Sequence, residues 1–311
     1  MQPLIPRIDF YTAADGRRLA ARVWSMSEEQ RAEIQEHSAE TSGPPPSARV
    51  VFLHGITSHS GWYNRSSRHL ASAGCEVHFL DRRGSGLNPH DRGDVDCYET
   101  WLSDVEVYLE HLCKEQGAGS TVNAPPPAPR PLPVLAGISW GGKLAVAVAR
   151  HRPDLLQGLA LICPGIYSYQ QPSLLKRLLL SLPMPARTKR RHVSIPLADP
   201  RLFTDTPPWV SYVAEDPLSL REITVRFARE DLKLTHYARE STSFPTLDML
   251  LVLSGHDRIV DNVQTQAYFD GVATKSKRFV EYAGAAHTLE FEPDPRPYLD
   301  DLTSWVQQVS W

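Results

Sequence analysis

Short runs of consecutive apolar residues, rich in Val, Ile, Leu and Phe, recur along this chain and alternate with longer stretches whose apolar positions follow helical spacing. Val50 to Leu53, Val77 to Leu80, Val134 to Ile138, Leu159 to Cys163, Met249 to Leu253 and Arg278 to Tyr282 are short and mostly unbroken, as strands buried on both faces are. Between them, His69 to Ala73, Tyr98 to Glu115, Gly141 to His151, Asn262 to Phe269 and Pro297 to Val309 read as helices. The last carries Tyr298, Leu302, Trp305 and Val309 along one side. Strand and helix in alternation predict an α/β fold whose mostly parallel sheet has helices on both faces. The beginning differs. Ile8 to Thr12 and Arg18 to Trp24 flank the turn dipeptide Asp15-Gly16, which predicts a hairpin at the sheet edge.

From Gly165 to Phe244 the alternation breaks down into helix-like mixtures such as Leu174 to Leu182, with no clear strand. An insertion of about 80 residues into one α/β unit is expected, with core at 1–164 and 247–311 and a cap or lid at 165–246. Prolines at Pro44 to Pro46 and from Pro125 to Pro133 read as stiff surface connections inside that unit. Ser25 to Ser47 reads as a Glu-rich insertion carrying a short exposed helix. The absence of an internal repeat excludes solenoids and propellers.

Composition narrows the function classes. With 33 Lys and Arg against 36 Asp and Glu the formal charge is -3, so a nucleic-acid binder held by bulk positive charge is not expected. The charge is uneven: 165–246 holds 12 basic against 8 acidic residues, leaving the core net acidic. A hydrophobic content of 41% with 22% charged residues fits a globular enzyme rather than a disordered chain. No stretch reaches the roughly 18 apolar residues a bilayer span needs, and Met1 to Phe10 lacks a basic-then-apolar leader, so a cytoplasmic protein is expected. Cys75, Cys97, Cys113 and Cys163 are scattered without metal-ligand spacing and read as reduced thiols.

The strongest chemical signal is Gly137-Ile138-Ser139-Trp140-Gly141-Gly142, which directly follows the run Val134 to Ile138 and opens the Ala-rich helix after it. A serine on so sharp a strand-to-helix turn needs neighbours without Cβ atoms, and the turn lifts its hydroxyl above the sheet edge. The helix N-terminus behind it favours developing negative charge. A serine is a weak nucleophile without a base, and the base needs an orienting acid. On such a fold these follow in the order Ser, acid, His. Asp257 lies just past the strand ending at Leu253, with Asp261 as a rival that could instead cap the next helix. His287 follows the last strand through the small residues Ala283-Gly284-Ala285-Ala286. Two backbone N–H donors are also required; Trp140 supplies one and Ile56, in the loop after Val50 to Leu53, the other.

Taken together, His54-Gly55-Ile56 with His59-Ser60-Gly61 and Tyr63, Asp81-Arg82-Arg83-Gly84-Ser85-Gly86, Gly137 to Gly142, Gly255-His256-Asp257 and Gly284 to His287 resemble the serine α/β-hydrolases. The resemblance is to the branch containing monoacylglycerol lipases and lysophospholipases. It implies an α/β-hydrolase fold with an eight-stranded sheet, a Ser139-Asp257-His287 triad, an oxyanion hole from Ile56 and Trp140, and a lid after the sixth strand. Trp140 stands where that branch usually has a smaller or more flexible residue such as Met. The expected activity is cleavage of a carboxylic ester, small-molecule or lipid, through an acyl-enzyme, with no cofactor and no metal. C–C bond hydrolysis, amidase or peptidase activity, and an idle binding module are the alternatives. Asp81 to Gly86 lacks the spacing of a phosphate loop and reads as a tight turn. His54, His59 and His256 read as structural rather than as metal ligands. Leu174 to Leu180, followed by Arg187, Lys189, Arg190 and Arg191, allows two readings: a lid helix that touches lipid transiently, or one whose leucines cover the cleft.

Overall fold

The computed structural model describes residues 4–27, 48–114 and 131–310. Most of the insertion expected at Ser25 to Ser47 and the first part of the proline-rich connection lie outside the described residues. The sheet has eight strands in the order β1 (Arg7–Thr12), β2 (Arg18–Trp24), β4 (Glu76–Leu80), β3 (Arg49–Leu53), β5 (Val134–Ile138), β6 (Gly158–Ile162), β9 (Ser243–Ser254) and β10 (Ala273–Tyr282). From β4 to β10 every pair is parallel. The expected hairpin forms the antiparallel edge: Thr12 pairs with Arg18 across the turn, and β2 then pairs antiparallel with β4.

The strands β3, β5 and β6 are buried at every residue, because period two divides each between two cores. Val51, Leu53, Leu135, Leu159 and Leu161 face the helices α2 (Tyr98–Lys114) and α3 (Trp140–His151), with Tyr268 and Phe269 of α8 (Asn262–Gly271) on the same side. Val50, Phe52, Ala136, Ala160 and Ile162 face α1 (Asn64–Ser72) and α9 (Arg296–Val309), which contributes Leu299, Leu302, Trp305 and Val306. The sheet order reverses direction at β3: the chain passes to β4 on one side, then to β5 on the other. In such sheets the crevice at the carboxyl ends of the strands flanking this point is where ligands bind. Here those ends lead into His54-Gly55-Ile56 and into Ser139.

Between β6 and β9 the chain leaves the sheet and forms α4 (Leu174–Ser181), α5 (Ala186–Lys189), β7 (His192–Ser194), α6 (Pro207–Glu215), β8 (Glu222–Thr224) and α7 (Val225–Arg239). One expectation is corrected here, since β7 and β8 pair antiparallel. Three residues apiece, all exposed in β7 and with Ile223 and Thr224 buried in β8, leave no apolar run to read. The strands β9 and β10 also begin earlier than their apolar runs, because their first residues extend past the core. No helix among the described residues is long and apolar enough to cross a membrane.

Candidate active site

Ser139 sits between β5 and α3 with φ 53° and ψ -121°, a left-handed conformation that costs a side-chain-bearing residue roughly 1 to 3 kcal/mol. The neighbours sustain it. A Cβ on Gly137 would lie 2.5 Å from the Gly141 carbonyl oxygen, and one on Gly141 would collide with the Leu53 carbonyl, so helix and strands can approach only with glycine at both places. The Ser139 N–H donates to the Ile162 carbonyl at 3.0 Å, and its own carbonyl accepts from Gly165 at 2.6 Å, which pins the turn to β6.

The Ser139 hydroxyl lies 3.0 Å from Nε2 of His287, and Nδ1 of His287 lies 2.7 Å from Oδ2 of Asp257. An ionised carboxylate only accepts, so the imidazole proton sits on Nδ1 and the lone pair on Nε2 faces the serine. The loops carrying the acid and the histidine brace each other, with the His256 N–H donating to the Ala285 carbonyl and Gly255 to Tyr282. Burial opposes ionisation of Asp257, but the charge and hydrogen bond of His287 and the N–H groups of Val260 and Ile259 outweigh it. They hold the carboxyl below its ordinary range. The rival Asp261 is the N-cap of α8, accepting from the Gln264 N–H at 3.0 Å. Asp257 rather than Asp261 therefore meets the histidine.

Gly55 packs against the serine: a Cβ placed on it would be 3.3 Å from the Ser139 Cβ. Trp140 opens α3, where its N–H has no partner within the helix. The Gly55 carbonyl accepts from His54 Nδ1 at 2.7 Å, while His54 Nε2 accepts from the Arg82 N–H at 3.0 Å. These two bonds fix the tautomer. Burial, then the nearby Arg82 charge, pushes the His54 pKa well down, so this histidine is a neutral strut. The Asp81 carboxylate accepts from the N–H groups of Ser60 and Leu87, which makes Asp81 to Gly86 a loop built to hold its neighbours.

A family model described as serine aminopeptidase, S33, matches residues 44–294. The chain belongs to this family. Its resemblance to serine α/β-hydrolases therefore holds, and relatives of lipase-like description accompany it. The monoacylglycerol lipase of Mycolicibacterium smegmatis is 24% identical over 86% of this chain and 90% of its own length. Phospholipase YtpA of Bacillus subtilis is 26% identical over 85% and 96%. The crystal structure of Paleococcus ferrophilus monoacylglycerol lipase superposes with a TM-score of 0.72 at 25% identity, covering 86% of this chain and 97% of that one.

This member of the family has contacts that sequence reasoning missed. Asp216, just after α6, accepts from His59 Nε2 at 2.8 Å and from the Trp62 indole at 2.5 Å. Asp231 of α7 accepts from the Trp140 indole at 2.5 Å and pairs with buried Lys143 at 2.6 Å. Both acids belong to the insertion; Asp216 holds the loop after β3, and Asp231 holds the first turn of α3 beside Ser139. A cavity of about 600 Å³ is walled largely by the insertion, with apolar Trp62, Phe203, Val213 and Leu220 mixed among polar and charged residues that include Thr57, Arg92, Asp216, Arg221 and Glu222. It borders the loop after Ile56 at Thr57, and it borders His287 through Phe203, whose ring centroid is 6.1 Å from the imidazole. The one grouping of metal-ligating side chains among the described residues is Cys163, Asp257 and His287. Two of these are already joined by the hydrogen bond described above, and burial pushes the Cys163 thiol upward.

Proposed function

We propose that this chain hydrolyses the carboxylic ester of a single-acyl lipid, of the monoacylglycerol or lysophospholipid kind, through an acyl-enzyme on Ser139. The observation that carries the reading is the unbroken relay from the Ser139 hydroxyl through His287 to Asp257 at the mouth of the switch-point crevice. His287 takes the serine proton as Ser139 attacks the acyl carbon, and Asp257 holds the tautomer and stabilises the imidazolium. The N–H groups of Ile56 and Trp140 receive the oxyanion, a role in which one donor is worth about 3 kcal/mol. His287 then returns the proton to the leaving alcohol and activates water for deacylation. The names of the relatives support the lipid ester.

The family description also brings in peptide cleavage at an amino terminus, which would call for a carboxylate free to hold an ammonium group. Asp216, the buried acid lining the cavity, already accepts from His59, Trp62, Ser219 and Leu218 and is not free for that role. The lipid reading extends to the surface of α4. Leu174, Leu175, Leu178 and Leu179 are 82%, 66%, 59% and 54% exposed, with Arg187, Lys189, Arg190 and Arg191 close behind in sequence. We assign this face to transient contact with a lipid surface.

Ser139→Ala tests the mechanism. It is expected to lower turnover of a monoacylglycerol by about ten-thousandfold or more and to abolish labelling by a fluorophosphonate probe. Labelling that persists on another serine refutes the assignment.

A further inference from the structure

Arg82 is buried, yet no carboxylate lies within ion-pair distance of it among the described residues. Its guanidinium is spent on backbone: Nη2 donates to the Ile56 carbonyl at 2.9 Å and Nη1 to the Gly55 carbonyl at 3.3 Å, while Nε has no partner. The flat face of the same group lies 4.5 Å from the centroid of the Trp140 ring. A buried cation without an adjacent acid is costly. Burial pushes its pKa down to about 9, against the opposing charges of Asp231 and Asp81. A side chain needed only to fill space would be less expensive as a hydrocarbon.

Peptide geometry gives the arrangement a use. Among the described residues every peptide bond is trans, so fixing the Gly55 carbonyl toward Arg82 and His54 turns the Ile56 N–H to the opposite side of the same plane. No acceptor among the described residues takes that N–H. Were the peptide to flip, a carbonyl oxygen would replace the donor. Trp140, the residue of the other donor, is gripped between the guanidinium and Asp231. We propose that Arg82 is a positioning residue for the oxyanion hole, locking the Gly55–Ile56 peptide with its N–H toward Ser139 and seating Trp140 against the same guanidinium. The inference rests on Ser139 being the nucleophile. It adds that the hole is held by a side chain from the loop after β4, outside the loops that donate.

A trifluoromethyl ketone carrying ¹³C at its carbonyl forms a tetrahedral adduct on a nucleophilic serine, and the ¹³C shift titrates with the oxyanion. Arg82→Met should lower kcat on a soluble ester by about 10- to 100-fold, leave KM within about twofold, and make the adduct oxyanion titrate at higher pH than in wild type. Arg82→Lys keeps the charge but not the fork that reaches two carbonyls, so it should recover only part of both effects. If Arg82→Met does not fold, the Arg82→Lys titration decides alone. An adduct that titrates as in wild type in the folded variants overturns the positioning role. Failure of wild type to form the adduct, or its survival in Ser139→Ala, overturns the nucleophile instead.

Discussion

Two helices of the same insertion meet the rest of the molecule in opposite ways. The helix α7 buries Phe227, Glu230, Leu234 and Ala238, and its Phe227 N–H donates to the Thr224 cap. Its Asp231 reaches Trp140 beside the nucleophile. No residue of the helix α4 is fully buried; Arg177 and Leu180 are half-buried, and Arg229 of α7 donates to the Ser181 and Leu182 carbonyls at its end. It forms because Leu, Lys and Arg favour helix and the Ser173 hydroxyl accepts from the Lys176 N–H. Eight residues with so little of their surface packed make a marginal helix in water. The insertion is thus an anchored half that reaches the active site and an outlying half whose leucines are exposed.

The sharpest way to break this contrast is to cut the anchor on the oxyanion loop. Asp216→Ala leaves the His59 imidazole, the Trp62 indole, the Ser219 hydroxyl and the Leu218 N–H without their common acceptor. Since removing one partner of a buried polar cluster strands the others, a loss of about 2 to 4 kcal/mol is expected. Calorimetry should show a Tm lowered by several degrees, with kcat falling as well. A variant as stable as wild type would mean the insertion is not anchored there.

Acid should act on the same contact, though more gradually. Burial opposes ionisation of Asp216, but the hydrogen bonds of His59 and Trp62 outweigh it and hold its carboxyl well below the ordinary 3.8. A carboxyl depressed on folding contributes stability that is full above the unfolded value and is lost as the pH falls through the folded one. The gap in urea stability between wild type and Asp216→Ala should therefore be constant above about pH 5 and narrow progressively below about pH 4. A gap unchanged down to pH 2 would assign the stabilisation to something other than the ionised carboxylate.

What the sequence made legible follows the same division between local and distant. The buried strands β3 and β5 were readable almost residue for residue because their apolar runs are continuous. Gly137 to Gly142 was readable because strand, turn and helix are consecutive, so the strained serine and the glycines that relieve it lie within six residues. His287 and Asp257 could be named by their order after successive strands. Asp216 could not, since its partner His59 is 157 positions away, and neither acid of the insertion lies in a motif. Arg82 looked like part of a tight turn, and its hold on two carbonyls depends on how the loops after β3 and β4 come together. The exposed leucines of α4 were visible as a run, but covering the cleft and facing outward give the same periodicity. Only packing separates them, and here the leucines face outward.

That face gives the smallest expected effect on the fold and the cleanest separation of the two halves. Replacing Leu178 and Leu179 with Ser removes no buried contact, because both side chains are more than half exposed. Stability should change by no more than about 0.5 kcal/mol per site, and turnover of a short, water-soluble ester should match wild type. Sedimentation with anionic phospholipid vesicles is the discriminating measurement. Wild type should pellet with the vesicles, less so as salt screens the basic residues behind α4, and the double variant should stay largely in the supernatant. Equal pelleting of the two proteins would remove lipid contact from α4, and a large loss of stability would show that its leucines pack after all. If only the vesicle result changes, the two halves of the insertion are separable in function: one holds the oxyanion loop and the other meets the lipid.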